Sequence, residues 1–574
     1  MTDMRAKGPE PPRGTVPLWL KRYPKNISWD QQFERSSVVA FLNRAAASDG
    51  DRPCCWFQGR VTTYRAIADT ADRIAGALQA RGIGKDDRVG LLLPNSPTFI
   101  CYYYAILKTG ASVVNFSPLY TVDELAEQVR DSGIDAMVTL DLKVLFDKVE
   151  ALLEKGPLRQ AIVAPFSALL PPLKAILFRA ARSRELARPR ASAVAASIVL
   201  ERDLLAVEHR FAPVPIDPEN DIAVLQYTGG TTGTPKGAML THANLSVNAR
   251  QSLAWAAELQ GTHERMLAVL PFFHVFAMTT VLNAGIATAS ELYLMPRFVL
   301  DDALRLIETQ KITVLAGVPT LFNALATHPE IAKHDLSSLR YCISGGAPLP
   351  VAVKASFEAL TGCTLVEGYG LTEASPTVTC NPLAGPNKPG SVGLPLPATR
   401  ISLRDLADPT REVEQGAKGE ICVSGPQVMK GYWRRPEATI EQFTPDGWLK
   451  TGDVGVMDED GFTFIVDRIK DLILSSGYNV YPRRIEEALY THPAVEETTV
   501  IGIKDDRRGE APKAFVKLKA GMVATEHELM AHLTGKLAKI ELPVAIEFRS
   551  SLPKTIIGKL SKKELQAEEA QRTT

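Results

Sequence analysis

The sequence has no surplus of charge. Its 574 residues carry 65 Lys and Arg against 65 Asp and Glu, so no global field draws it to nucleic acid, and any charged partner must be met locally. It also lacks a Cys-x-x-Cys pair. The seven cysteines (Cys54, Cys55, Cys101, Cys342, Cys363, Cys380, Cys422) are scattered, which argues against both a zinc site and a disulfide framework and fits a reducing cytosol. There is no signal-like leader: MTDMRAKGPEPPRGTVPLWL is polar and proline-rich, without an apolar core. No uncharged apolar run is long enough to span a bilayer. The expected location is therefore cytoplasmic, with membranes met only from the surface. With 45% hydrophobic and 23% charged residues and a mean hydropathy of -0.02, the composition is that of an ordinary globular protein. Its length allows roughly four domain-sized units, fewer if large α/β units are present.

What is present is α/β text. Between residues 38 and 153, amphipathic helical patterns (RAIADTADRIAGALQARG, FICYYYAILKTG) alternate with short apolar runs (DRVGLLLP, ASVVNFSP, AMVTL). A largely parallel sheet with helices on its faces follows. A second cycle begins at Leu267, and residues 391–467 read as short strands in a barrel-like or sandwich-like β unit. The predicted fold is α/β: two α/β sheet subdomains and a β-rich barrel-like subdomain form a large N-terminal domain over 1–466. A small mobile α/β C-terminal domain over 467–574 follows a charged turn at 467–470. Residues 156–200 break the pattern, with Arg159, Lys174, Arg179, Arg182, Arg184, Arg188 and Arg190 around PFSALLPPLKAILFRAA. A basic amphipathic stretch of this kind suits an anionic membrane surface, or equally a solvated surface insertion.

The richest motif is YTGGTTGTPKG at 227–237. Gly229, Gly230 and Gly233 let several backbone N–H groups converge on an anion. Thr228, Thr231, Thr232 and Thr234 add hydroxyls, and Lys236 adds charge. The motif is not a Walker A loop, because Pro235 precedes the lysine and Gly237 follows it. DIAVLQYT reads as a strand feeding this loop, and Thr241 as the N-cap of the helix after it. Taken alone, a glycine-rich loop is also compatible with a structural turn. EGYGLTEAS supplies a tight turn with Tyr369 and Gly370, a hydroxyl at Thr372 and a carboxylate at Glu373 suited to Mg²⁺ beside phosphates. Tyr369 offers a face on which a base stacks. WLKTGDVG places Asp453 after a Thr-Gly turn at the end of a strand, where its carboxylate can accept from a ribose diol. Arg468 and Lys470 follow in the charged turn, and Lys559 follows Gly558 near the end.

In this order, YTGGTTGTPKGAMLTH, LPFFHVFAM, SGGAPLP, EGYGLTE, WLKTGD, DRIKDLILSSGYNVYP and LPKTIIGK resemble the adenylate-forming superfamily of acyl-CoA synthetases, luciferases and peptide-synthetase adenylation domains. VPLWLKRYP, VNFSPLYT, TLFNAL and GPQVMKGYWRRPEAT are similar to bacterial long-chain fatty acyl-CoA synthetases. The resemblance implies an acid-thiol ligase using ATP, Mg²⁺ and CoA, which forms an acyl-adenylate with release of pyrophosphate and then a thioester. Residues 228–236 hold the β- and γ-phosphates, Thr372 contacts phosphate and Glu373 holds Mg²⁺. Gly345, Gly346, Ala347 and Tyr369, with Gly370, line the adenine pocket. Asp453 takes the ribose hydroxyls, Arg468 assists at ribose or phosphate, and Lys559 bridges the carboxylate and the α-phosphate. The C-terminal domain then swings about Lys470 and brings Ser476, Gly477 and Tyr478 to a pantetheine channel. His274 orients or gates the junction of the acyl and CoA channels, with a core histidine as the alternative. Val275, Phe276, Met278, Gly317, Val318 and Pro319 line the acyl tunnel. A fatty-acyl-AMP ligase, a medium-chain or aryl acid:CoA ligase and an inactive lipid-binding scaffold remain as alternatives. If the chain assembles, a homodimer is expected.

Overall fold

A computed structural model describes residues 17–228, 235–257, 262–505, 507–555 and 558–572. Among these, four sheets organise the chain. The first has seven strands, in the spatial order Ile198–Leu200, Ala161–Ala164, Ala136–Leu140, Arg88–Leu91, Ser112–Asn115, Ile222–Thr228 and Lys236–Thr241. Its pairings are parallel except for the closing hairpin. Apolar strands such as AMVTL are buried along their whole length, as expected for a sheet with helices on both faces.

The second sheet has nine strands and runs from Leu394–Pro395 through Thr377–Cys380, Thr364–Gly370, Tyr341–Gly345, Val314–Gly317, Arg265–Ala268 and Glu291–Leu294 to the hairpin of Pro53–Phe57 and Arg60–Thr63. That hairpin comes from the first α/β stretch of the sequence, yet it joins the second sheet: Cys55 pairs in parallel with Leu292. The third sheet is an antiparallel meander of Arg400–Arg404, Gly419–Ser424, Leu449–Met457 and Thr463–Arg468. The fourth holds Tyr478–Val480, Ile473–Ser475, Gly509–Leu518, Val495–Asp505 and Ala545–Phe548, with its own apolar core of Ile473, Ile485, Leu489, Val500, Val516 and Leu529. The passage from the third sheet to the fourth falls between Arg468 and Ile473.

The basic stretch is only partly a surface insertion. Its two ends, Ala161–Ala164 and Ile198–Leu200, are paired strands of the seven-stranded sheet. Between them the helix Pro172–Ala181 buries no residue fully. Phe178 packs on Phe166, while Leu173, Ile176 and Leu177, spaced to share one face, are 69%, 64% and 58% exposed. No helix among the described residues is long and apolar enough to cross a membrane. The described cysteines are all free and buried.

Candidate active site

The strand Ile222–Thr228 and its partner Lys236–Thr241 pair so that Thr228 lies opposite Lys236. Gly229, Gly230, Thr231, Thr232, Gly233 and Thr234 join these two and lie outside the described residues. Thr241 ends the hairpin and caps the helix His242–Trp255: its hydroxyl accepts from Asn244 N–H, and Asn244 returns a bond to the Thr241 N–H. This capping box anchors the helix directly behind the hairpin. Both hairpin ends open on a cavity of about 960 Å³, lined by Thr228, Lys236, His274, Thr372, Glu373 and Asp453 among others.

Three sheets feed that cavity. From the nine-stranded sheet, Thr364–Gly370 carries Tyr369 and Gly370 to the wall, and the turn Thr372–Ala374 follows with Thr372 and Glu373. From the meander, Asp453 stands opposite Arg468 on adjacent strands. Asp453 is not at a strand end as the sequence suggests. The strand continues through it to Met457, because Gly452 adopts φ +74, a conformation open to glycine, which re-aims the chain without ending it. The Asp453 carboxylate accepts from the Tyr369 hydroxyl at 2.7 Å and from Arg468 Nε at 3.1 Å. Glu373 accepts from the Tyr432 hydroxyl at 2.7 Å, and the Lys236 ammonium stands 5.2 Å from the Tyr432 ring. Tyr432, a residue the motif reading passed over, thus links the hairpin cation to the carboxylate; only its place within GPQVMKGYWRRPEAT hinted at it. Burial pushes the Glu373 carboxyl up from its ordinary range, the state of a carboxylate that gains from a nearby cation. The described residues contain no group of three or more His, Cys, Asp or Glu able to hold a metal. A single half-buried carboxylate facing the cavity fits Mg²⁺, which completes its shell with phosphate oxygens and water.

Lys559 arrives from the C-terminal unit. The Thr320 hydroxyl donates to the Gly558 carbonyl at 2.7 Å, and the lysine stem lies so close to Gly346 that a Cβ there would sit 2.6 Å from Lys559 Cε. Gly346 also has φ +81, so the backbone requires glycine, and a Cβ there would push the end of Lys559 out of its place. Burial, with Arg468 adding repulsion, brings the Lys559 ammonium down to about 8. His274 caps the short turn Val275–Ala277 through Phe276 N–H. Burial, with Lys559 adding to it, brings its imidazole down to about 3, so it is neutral. Arg468 and Lys470 line the cavity as well. Ser476, Gly477 and Tyr478 do not: they form an exposed turn between Ile473–Ser475 and Tyr478–Val480, with Tyr478 68% exposed.

From this cluster the cavity extends along one face of the nine-stranded sheet. Alternate residues form its floor, as the pleat dictates: Ile343 and Gly345, Val314 and Ala316, Met266 and Glu264. Register places Met266 beside Val314 and Val314 beside Tyr341. Gly345 lies four residues beyond that level and Glu264 two before it, a separation of about 20 Å at ~3.3 Å per residue. Val275 and Phe276 are in the wall. Met278, Gly317, Val318, Pro319 and Ala347 are not among the lining residues. Gly317 alternates out of phase with Val314 and Ala316, and its Cβ direction meets the Phe322 ring. Val318 and Pro319 begin the helix Pro319–Ala326 and are buried. Met278 turns its sulfur to Asn115 Nδ2 at 3.4 Å.

Comparison with known proteins gives two family matches: AMP-binding enzyme over residues 42–433 and AMP-binding enzyme C-terminal domain over residues 484–559. The chain is 42% identical to a long-chain-fatty-acid--CoA ligase of Bacillus subtilis (strain 168), covering 96% of this chain and 98% of the relative. It is 37% identical to a feruloyl-CoA synthase of Amycolatopsis sp, covering 88% and 94%. Among solved structures, ATP-bound MatB from Rhodopseudomonas palustris superposes with a TM-score of 0.81 at 29% identity, covering 94% of this chain and 100% of that one. The O-succinylbenzoate coenzyme A synthetase from Bacillus subtilis, solved with ATP and magnesium ion, gives 0.74 at 25% identity, covering 92% and 99%.

Proposed function

The chain belongs to the AMP-binding enzyme family, and from that premise we propose that it is an ATP-dependent long-chain fatty acid:CoA ligase, forming an acyl-adenylate and then the thioester. The observation that carries this reading is the joining of a cationic, nucleotide-sized cluster to a largely apolar channel about 20 Å long. With C–C bonds of about 1.5 Å at tetrahedral angles, that length takes an extended chain of roughly sixteen carbons.

In this reading the carboxylate of the acid enters beside His274 and Gly346 and attacks the α-phosphorus of ATP, and pyrophosphate leaves toward the hairpin of Thr228 and Lys236. Lys559 stabilises charge on the carboxylate and α-phosphate oxygens, a preorganised contribution of several kcal/mol. Asp453, held between Tyr369 and Arg468, accepts from the ribose hydroxyls, and Thr372 donates to phosphate. Glu373 would hold Mg²⁺, which would supply neutralisation of phosphate charge. Neutral His274 takes no proton at ordinary pH and orients the acyl carbonyl. The 1–466 and 467–574 units then exchange faces about Lys470. Lys559 withdraws, and the turn of Ser476, Gly477 and Tyr478 meets the pantetheine of CoA. Such rotation lets pyrophosphate leave and a thiol enter at the same point.

The testing experiment is product analysis with ATP, CoA and a ladder of fatty acids. It should give acid-dependent pyrophosphate and acyl-CoA, rising toward chains of about sixteen carbons. Adenylate without thioester would make the enzyme a fatty-acyl-AMP ligase, and a preference for short or aryl acids would move it to the neighbouring ligase classes. The helix Pro172–Ala181 supports peripheral contact with an anionic membrane through Leu173, Ile176 and Leu177, flanked by the basic residues of the stretch. Deleting 156–200 would break the seven-stranded sheet, so the fitting variant replaces these three residues with serine. It should abolish sedimentation with anionic liposomes, and unchanged sedimentation removes the assignment.

A further inference from the structure

The end of the cavity remote from Lys559 is not apolar. Glu264 is 4% exposed and lines it, yet only one of its carboxylate oxygens is engaged. Oε1 accepts from Arg340 Nη1 at 2.6 Å and from the Thr262 hydroxyl at 2.6 Å. Oε2 is buried and has no hydrogen-bond partner among the described residues. On the neighbouring strand, Arg265 pairs with Glu291 and the Glu291 N–H donates to the Glu264 carbonyl at 2.8 Å, so Ser290 sits beside Glu264. Ser290 is 1% exposed and also lines the cavity. Its hydroxyl lies 2.8 Å from that of Thr288, which itself donates to the Ala284 carbonyl at 3.0 Å. A hydroxyl has one proton. In the arrangement where Thr288 donates to Ala284, Ser290 donates to Thr288, and the Ser290 oxygen then accepts from no donor among the described residues.

Two buried acceptors thus face the end of a channel whose walls are mostly apolar, with the Ser252 and Thr280 hydroxyls among its other lining groups. A terminal methyl group brought there leaves both unsatisfied and dry, which is costly for a carboxylate oxygen. A carboxylate at that end brings no donor and adds like charge. A hydroxyl supplies the missing proton. We propose that the cavity is shaped for long-chain acids bearing a hydroxyl group at the end remote from the carboxyl, with that hydroxyl donating to Glu264 Oε2 beside Ser290. The inference rests on the reading of this site as a fatty acid:CoA ligase and assigns its substrate class.

The test uses the intact enzyme with ATP, CoA and three acids of equal length: hexadecanoic, 16-hydroxyhexadecanoic and hexadecanedioic. The readout is kcat/KM for thioester formation. The hydroxy acid should exceed hexadecanoic acid at least about tenfold, with the diacid poorest. Glu264→Leu should invert the order of the first two. Because that change removes the partner of Arg340, Ser290→Ala, which keeps the Glu264–Arg340 ion pair, serves beside it and should narrow their ratio. Equal kcat/KM for the hydroxy and unsubstituted acids in the unaltered enzyme overturns the proposal and leaves the ligase reading intact. Absence of thioester from all three overturns the ligase reading and the proposal with it.

Discussion

Lys559 is held where its charge is least secure. Burial lowers its pKa to about 8, so the free enzyme loses this cation as pH rises through that value. Pyrophosphate release, followed as kcat/KM, should therefore fall on the alkaline side of about pH 8. Lys559→Arg, which stays charged, should show a lower rate without that limb. Gly346 is the reason the lysine fits: with φ +81 and a Cβ position 2.6 Å from Lys559 Cε, Gly346→Ala should reduce adenylation by about two orders of magnitude, as a displacement of about 1 Å does in a preorganised site. Melting temperature should move little by comparison. Neither constraint is legible in SGGAPLP or LPKTIIGK taken separately, because the contact joins segments that only the fold makes neighbours.

Among the elements, the strand Thr364–Gly370 carries a second strained charge. Glu367 is 5% exposed and accepts from Leu349 N–H at 3.1 Å; burial drives its carboxyl up to about 7. A carboxyl raised on folding holds its proton more tightly in the native state. Its stabilising contribution is complete below its ordinary value near 4.5 and is lost as pH rises through about 7. Glu367→Gln keeps an acceptor for Leu349 and removes that loss. It should stabilise the protein by on the order of 2 kcal/mol at pH 8 and have little effect at pH 4, measured by thermal unfolding. The helix after the Ile222–Thr241 hairpin was more legible: THANL announced an N-cap, and Thr241 forms it. Strand text was legible too, down to DIAVLQYT. Which face of a short strand meets a ligand was not. In Val314–Gly317 all four residues are buried, so no polar alternation marks the side that lines the cavity, and the glycine chosen from sequence lies out of phase with the wall.

For the whole molecule, the decisive feature is a cation from the loop after the last sheet, placed in a cavity built by the other sheets. Lys559→Ala should reduce adenylation by about 10²–10³-fold while thioester formation from preformed adenylate persists, since that half is assigned to the opposite face of the C-terminal unit. Equal loss in both half-reactions would remove the alternation of faces about Lys470. The sequence by itself determined the α/β class, the strands and caps, and the chemical types gathered for nucleotide binding, because local periodicity and short motifs encode these over a few residues. It did not determine that Pro53–Phe57 crosses to the second sheet, that Tyr432 closes on Glu373, or that Glu264, beside Ser290, ends the channel with a carboxylate oxygen unpaired among the described residues. Those are contacts between residues far apart in the chain. Only the tertiary structure decides them, because strand register and the packing of sheet on helix set which distant side chains share a cavity.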